Sequence, residues 1–290
     1  MKDFAGKVAV ITGGASGIGR AIAEHCVREG TKVVLADIED SALATAANEL
    51  RAMGGTVLAV RTDVSKREDV ESLANAAFEA FGAVHLLFNN AGVAAGGPAW
   101  DATWHDWEWV IGVNLWGVIH GVRAFVPRML AQNTECHIVN TASAAGLIAG
   151  GMSAPYSVTK HAVVALSESL YLSLARQSSQ IGASVLCPGM VQSNIATAAR
   201  NRPEQLQDAA VAPTPQMQAG KAALEALIAG GMAASKVADK VFAAIQDQQF
   251  YILTHPEWME IIRMRTDRLT RLQNPEDPLP AIMRIMQSRS

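Results

Sequence analysis

Short blocks of consecutive apolar residues alternate along the chain with longer stretches in which apolar positions recur every three or four residues. The first block, Lys7–Thr12 (KVAVIT), is rich in β-branched residues and predicts a strand buried on both faces. Gly17–Gly30 follows with helical spacing at Ile18, Ile22, Cys26 and Val27, and Gly30 supplies the stop. The alternation continues with strands at Lys32–Ala36, Thr56–Arg61 and Val84–Phe88. Between them lie helices at Ser41–Met53 and Lys66–Phe81, closed by Gly54-Gly55 and Gly82. A long helical region runs from Thr103 to about Ala131. A strand at His137–Thr141, a helix at Pro155–Ser179 and a strand at Ala183–Leu186 come next, and Phe250–Leu253 predicts a seventh strand. Such alternation implies an α/β fold, a doubly wound parallel sheet of about seven strands with helices on both faces.

Two stretches break the rhythm. Met190–Ser235 is rich in Ala, Gln, Met and Pro and predicts loop and short helix; at about 190–235 it is long enough for a substrate lid, with Met217 and Met232 able to adapt to shape. The tail from about 256 to 290 has helical spacing at Trp258, Ile261, Ile262, Arg265 and Leu269, then breaks at NPEDPLP. It covers either the lid or a neighbouring subunit, or stands as a solvated amphipathic helix.

Composition narrows the class. With 290 residues, half of them hydrophobic, the expectation is one domain over 1–290 with a substantial core. A net charge of −3 gives no basic excess for nucleic acid. The first residues lack a signal-peptide pattern, and no run of about 18 apolar residues predicts a membrane span. Cys26, Cys136 and Cys187 fit neither a disulfide framework nor a metal site, which points to a reducing, cytoplasmic setting.

The candidate chemistry centres on Asn140–Lys160. Tyr156 and Lys160 are four apart, hence on one helical face. A nearby ammonium favours a phenolate; lowering a phenol by two or three decades takes ~3–4 kcal/mol. The spacing alone arises in many helices. A glycine-rich turn, Thr12–Gly19 (TGGASGIG), joins the first strand to its helix. Gly13 permits the turn, Gly17 and Gly19 let backbone approach a pyrophosphate, and the helix N-terminus favours anions. Asp37 ends the second strand, where an acid binds adenosine ribose hydroxyls. Ile38, Glu39 and Asp40 follow, so three acids and no arginine stand there, which points to NAD rather than NADP. Asn89–Gly92 (NNAG) ends the fourth strand with small residues. Asp63 ends the third, near an adenine site or as an N-cap for the segment from Ser65.

Together these residues resemble the short-chain dehydrogenases/reductases, over Lys7 to Ser193 and more loosely Val237 to Leu253. The resemblance implies a Rossmann-type domain that binds NAD through Gly13, Ser16, Gly17, Ile18, Gly19, Asp37, Asp63, Val64, Asn90, Ala91 and Gly92, with Pro188, Gly189, Val191 and Ser193 at the nicotinamide. It implies that Tyr156 transfers the proton, Lys160 lowers its pKa and binds the nicotinamide ribose, Ser143 holds the substrate oxygen, and Asn114, at the family's helix-kink position, fixes a water linking Lys160 to solvent. Ser143 lies thirteen residues before Tyr156, the family's usual spacing. The flanking residues are apolar, and Ala95, Leu147, Met152 and Met190 are expected to meet a hydrophobic secondary alcohol or ketone. The runs MKDF, GVIHGVRAFVPRM and SNIATAARNRP are similar to Cα-dehydrogenases of lignin-type aryl ethers. Trp104, Trp107, Trp109 and Trp116 crowd one helix, through which the family's subunits pair as a homo-oligomer, dimer or tetramer. The competing expectations are a non-catalytic NAD sensor, or a same-fold enzyme for bulky benzylic alcohols or steroids or for isomerisation or dehydration.

Overall fold

A computed structural model describes residues 1–150, 153–177, 179–209 and 215–287. Seven strands form one sheet in the order β3-β2-β1-β4-β5-β6-β7: β1 Val8–Thr12, β2 Lys32–Asp37, β3 Val57–Arg61, β4 Leu86–Asn89, β5 Cys136–Thr141, β6 Ile181–Cys187 and β7 Tyr251–Leu253. Every neighbouring pair is parallel. The chain starts at β1, winds outward to β3, then returns to β4 on the other side of β1. This reversal leaves a crevice beyond the carboxyl ends of β1 and β4.

The strands are apolar throughout because both faces are covered. Ala9 and Ile11 of β1, Leu35 of β2 and Phe88 of β4 pack on one face against α1 (Gly17–Arg28), α2 (Asp40–Ala52) and α8 (Ala234–Gln246). Val8, Val10, Val34 and Leu87 point the other way, against α3 (Arg67–Phe81), α5 (Gly117–Gln132) and α6 (Ala154–Arg176). Each of these Val, Leu, Ile and Phe side chains, fully buried, contributes about 1.5–3 kcal/mol.

Three regions depart from what apolar periodicity alone predicts, the first of them at the helix-kink position that the family resemblance gives Asn114. The long helix after Thr103 is interrupted: α4 (Trp104–Ile111) and α5 flank a π-helical segment, Gly112–Trp116. The wider turn rotates Asn114 into the interior, where it is fully buried. Taken whole, Trp104–Gln132 has the length and apolarity of a membrane span, but here α5 packs on α3 and α4 on α6. Next, α8 is a regular amphipathic helix that the sequence reading left unassigned. Val237, Val241 and Ile245 recur every fourth residue with Ala238 and Phe242 beside them, and all are buried. Phe242 stacks on His25 of α1 at 4.0 Å. Finally, the 190–235 region holds a fifteen-residue helix, α7 (Pro215–Ala229), and the tail folds as α9 (Met259–Thr270) and α10 (Leu279–Gln287).

Candidate active site

The turn after β1 and the turn after β4 face each other across the crevice and are stitched together. Thr12 Oγ1 accepts the N–H groups of Asn90 (2.9 Å) and Ala91 (3.1 Å), and Asn90 Nδ2 donates to Thr12 O (3.0 Å). Glycine is required at these turns. Gly13 has φ +63°, and a Cβ there would lie 2.8 Å from Ala91 Cα. At Gly19 it would lie 2.1 Å from the Gly13 carbonyl oxygen. Ser16 stands at the N-cap of α1 in extended backbone and makes no side-chain cap bond, so the first turn of α1 opens into the crevice with its N–H groups available to an anion.

The crevice deepens into a cavity of about 620 Å³. Its lining brings together Gly13, Ser16, Gly17, Ile18, Asp37, Asp63, Val64, Asn90, Ala91 and Gly92 with Ser143, Tyr156, Lys160, Pro188, Gly189, Met190, Val191 and Ser193. Asp37 accepts from Ala15 N (3.0 Å) and Glu39 N (3.2 Å), which fixes its carboxylate beside the glycine turn. Asp63 accepts from Ser65 N (3.1 Å) and Ser65 Oγ (2.6 Å), so it shapes the turn into α3 while also facing the cavity. An acid fixed at the end of β2, a phosphate-sized glycine cradle and an open helix N-terminus fit a dinucleotide.

At the other side of the cavity α6 presents Tyr156 on its first turn and Lys160 one turn later. Ser153 caps this helix, accepting from Tyr156 N (3.4 Å) and donating to Ala95 O (2.7 Å). Lys160 is buried; its Nζ donates to Thr141 O at 2.9 Å and lies 5.5 Å from the centre of the Tyr156 ring. Ser143, just past β5, accepts from Ala145 N (3.1 Å). Burial raises the Tyr156 phenol above its ordinary value, while the Ser143 hydroxyl pulls it down. Burial lowers Lys160 to about 8, with the Cys187 thiol opposing. The phenol is thus raised, opposite to the lowering the sequence reading assigns to Lys160. The ammonium stands over the ring face and gives one of its three donors to Thr141 O, and desolvation dominates both groups.

Several expected residues sit one layer back. Asn114 Oδ1 accepts from Val93 N (2.8 Å), and its Nδ2 donates to Val93 O (2.9 Å) and Thr159 Oγ1 (3.3 Å). Its amide is committed to holding the segment after β4. A Cβ on Gly92 would lie 3.4 Å from both Asn114 Oδ1 and Lys160 Nζ, so that glycine keeps the two close. Gly19 packs on Gly13 and does not line the cavity. Leu147 turns into the core beside Val118 and Val163, and Ile148 takes the wall instead. Ala95 packs near Trp109, and Ala94 faces the cavity. Met152 lies outside the described residues.

The sequence reading missed an apolar wall brought from afar. Trp258 and Ile282 of the C-terminal extension, with Leu224 and Ile228 of α7, line the cavity near Met190 and Ile148. Trp258, Ile261 and Ala281 pack against Ala144 and Ile148, which anchors the extension beside Ser143. Leu206, Arg200 and Asn201 also reach the cavity. Arg202 ties their segment to α4, pairing with Asp106 (2.8 Å) and Asp208 (3.0 Å) over the Trp109 ring.

A family model described as short chain dehydrogenase matches residues 7–204. A CLA biosynthesis dehydrogenase/reductase of Lactiplantibacillus plantarum is 37% identical over 275 residues, covering 93% of this chain and 95% of that protein. A C alpha-dehydrogenase of Sphingobium sp. strain SYK-6 is 37% identical over 261 residues, covering 90% and 84%. A crystal structure of a short chain dehydrogenase/reductase from Burkholderia phymatum in complex with NAD matches with a TM-score of 0.93 at 50% identity, covering 96% of this chain and 99% of that one.

Proposed function

Because the chain belongs to the short-chain dehydrogenase family, with NAD as coenzyme, we propose that it interconverts a hydrophobic secondary alcohol and its ketone, with Tyr156 as the general acid/base. One observation carries this: Ser143, Tyr156 and Lys160 converge on the cavity that also holds the glycine turn and Asp37, and the wall beside them is apolar. Bound NAD supplies the hydride acceptor in oxidation and, when reduced, the donor in the reverse direction.

Ser143 and Tyr156 hold the substrate oxygen between two hydroxyls. In oxidation the carbinol proton passes to Tyr156 Oη while hydride leaves the carbinol carbon; in reduction Tyr156 returns the proton to the ketone oxygen. Thr141 O positions the Lys160 ammonium beside the Tyr156 ring, where it would bind the nicotinamide ribose, and the Ser143 hydroxyl is the group that draws the phenol down. Asn114, its amide already bound to Val93, would hold a relay water through its main-chain carbonyl.

The apolar wall of Ile148, Met190, Ile228, Trp258 and Ile282 supports a bulky apolar substrate, and Trp258 offers a ring for stacking. An aryl carbinol fits this wall, and it is the substrate class to which the sequence resemblance to Cα-dehydrogenases points; a relative named C alpha-dehydrogenase is 37% identical. The segments about 190–235 and 256–290 act as lid and wall of the single domain 1–290. A homo-oligomer formed through α5 and α6 would cover Trp116, Val158 and Leu172, each about half exposed. Buried, unbridged Cys26, Cys136 and Cys187 accord with a cytoplasmic setting.

The test is NADH absorbance with purified protein, NAD and a panel of aliphatic, cyclic, aryl and steroid secondary alcohols. Turnover of the bulky apolar members is expected. NAD binding without turnover of any member would favour a non-catalytic sensor.

A further inference from the structure

The acids after β2 suggest that no cation stands near the adenosine ribose. Arg61, opposite Asp37 on β3, is paired with Asp40 and lies outside the cavity lining, and Lys66 lines the cavity but pairs with Asp63; a guanidinium that both lines the cavity and faces the acids after β2 comes from 161 positions further along the chain. The segment Ile195–Asn201 crosses from the Pro188 turn toward the carboxyl end of β2 and sets Arg200 against Glu39. Arg200 Nη2 donates to Glu39 Oε1 at 2.6 Å and Nε to Oε2 at 3.3 Å, a two-pronged pair. Nη1 donates to Thr197 O (2.9 Å), Thr197 Oγ1 (3.0 Å) and Asn194 O (3.3 Å), and Asn201 Nδ2 adds a bond to Glu39 Oε1 (2.8 Å). Glu39 N in turn donates to Asp37 Oδ1 (3.2 Å). Asp37, Ile38, Glu39 and Arg200 therefore meet at one end of the cavity.

We infer that Glu39 is a coenzyme-specificity residue that acts by occupying Arg200, so that a guanidinium placed at the ribose end of the cleft is closed to a 2′-phosphate. A guanidinium fork matches carboxylate and phosphate equally well in shape. With Glu39 present, the fork is filled and its charge cancelled, and Asp37 repels a phosphate as well. The pair is part-exposed, with side chains 28% and 37% accessible, so its worth to stability is small. Its consequence is selection. Arg200 holds the Glu39 carboxyl below its usual range, with Asn201 helping, so the acid stays ionised at neutral pH.

Glu39→Gln keeps the shape and removes the charge. The prong on Oε1 persists as a bond from the guanidinium to an uncharged amide oxygen, and the guanidinium is left without an anionic partner. Calorimetric titration with NAD, NADP and the fragment pair 5′-AMP and 2′,5′-ADP reads this directly. It needs no substrate, so it succeeds or fails independently of the proposed oxidoreduction. The Kd ratio of NADP to NAD, and of 2′,5′-ADP to 5′-AMP, is expected to fall at least tenfold in Glu39→Gln. In Glu39→Gln/Arg200→Gln the ratio returns to the wild-type value. Glu39→Ser serves as a second variant should the first fail to fold. An unchanged ratio in the single variants overturns the inference. So does a gain that survives loss of Arg200, because removal of an acid would then suffice.

Discussion

Replacing Lys160 with methionine separates what the site costs from what it does. The lysine is 3% exposed, and burial lowers its pKa from 10.5 to about 8. At about 1.36 kcal/mol per decade of proton affinity, keeping it charged in the fold costs on the order of 3 kcal/mol at neutral pH. The direction follows from linkage. Between about pH 8 and 10.5 the unfolded chain holds a proton that the folded chain has lost, so stability rises with pH through that window. Below about 8 both states are protonated and the cost is complete. Lys160→Met keeps a long apolar stem and removes the charge, but it leaves Thr141 O without its 2.9 Å donor, a loss of about 1 kcal/mol. The coenzyme-free variant should therefore be more stable at pH 7 by about 2 kcal/mol, a Tm increase of roughly 4 °C. At pH 9.5 the cost in the wild type has fallen to about 1 kcal/mol and the two proteins should be nearly equal. Urea denaturation of both at the two pH values, without coenzyme, measures this, and turnover should be lost in the variant. A variant less stable than wild type at pH 7, or a difference that ignores pH, refutes the assignment of a buried ammonium held at a cost.

Tyr156→Phe should lower kcat by about 10²–10⁴, the range of acid–base catalysis, while calorimetry finds NAD affinity within a few fold; full turnover would remove Tyr156 from the mechanism. Gly19→Ala should lose NAD binding and unfold at lower urea, because its Cβ would sit 2.1 Å from a carbonyl oxygen that cannot move without opening the turn; a normal NAD titration would show that the turn is not built as described. Ile282→Ala should enlarge the apolar end and shift kcat/KM toward larger alcohols by about tenfold relative to smaller ones, and an unchanged ranking across a size series would place the substrate elsewhere. Trp116→Glu should shift sedimentation toward smaller species if α5 and α6 form the subunit contact.

What the sequence disclosed and what it withheld divide along a physical line. Strands and the helices at Ser41 and Lys66 were legible because their burial is written in local period, the glycine turn, Asp37 and Ser143 because their chemistry sits within a few residues of a strand end, and Tyr156 and Lys160 because one helical turn of α6 separates them. The π-helical turn at Asn114 was conveyed by the family resemblance, which puts a helix-kink asparagine there, and not by the apolar spacing, because nearly every position around it is apolar. Leu147 and Ile148 are adjacent, and only the backbone of the short helix Ala144–Gly146 decides which faces the cavity. Arg200, Leu224, Ile228, Trp258 and Ile282 were withheld for a stronger reason. Each lies in a segment whose own pattern reads as loop or amphipathic helix, and its role comes wholly from where the chain returns over the carboxyl ends of the strands. The coenzyme half of the cleft is built from turns that the sheet itself fixes, so it is conveyed by motif. The proposed substrate wall and the guanidinium at the ribose end are built by returning segments. On the reading proposed here, coenzyme choice joins Asp37, which a motif announces, to Arg200, which none does, while the proposed substrate wall draws chiefly on returning segments, where substitution can alter it without disturbing the sheet.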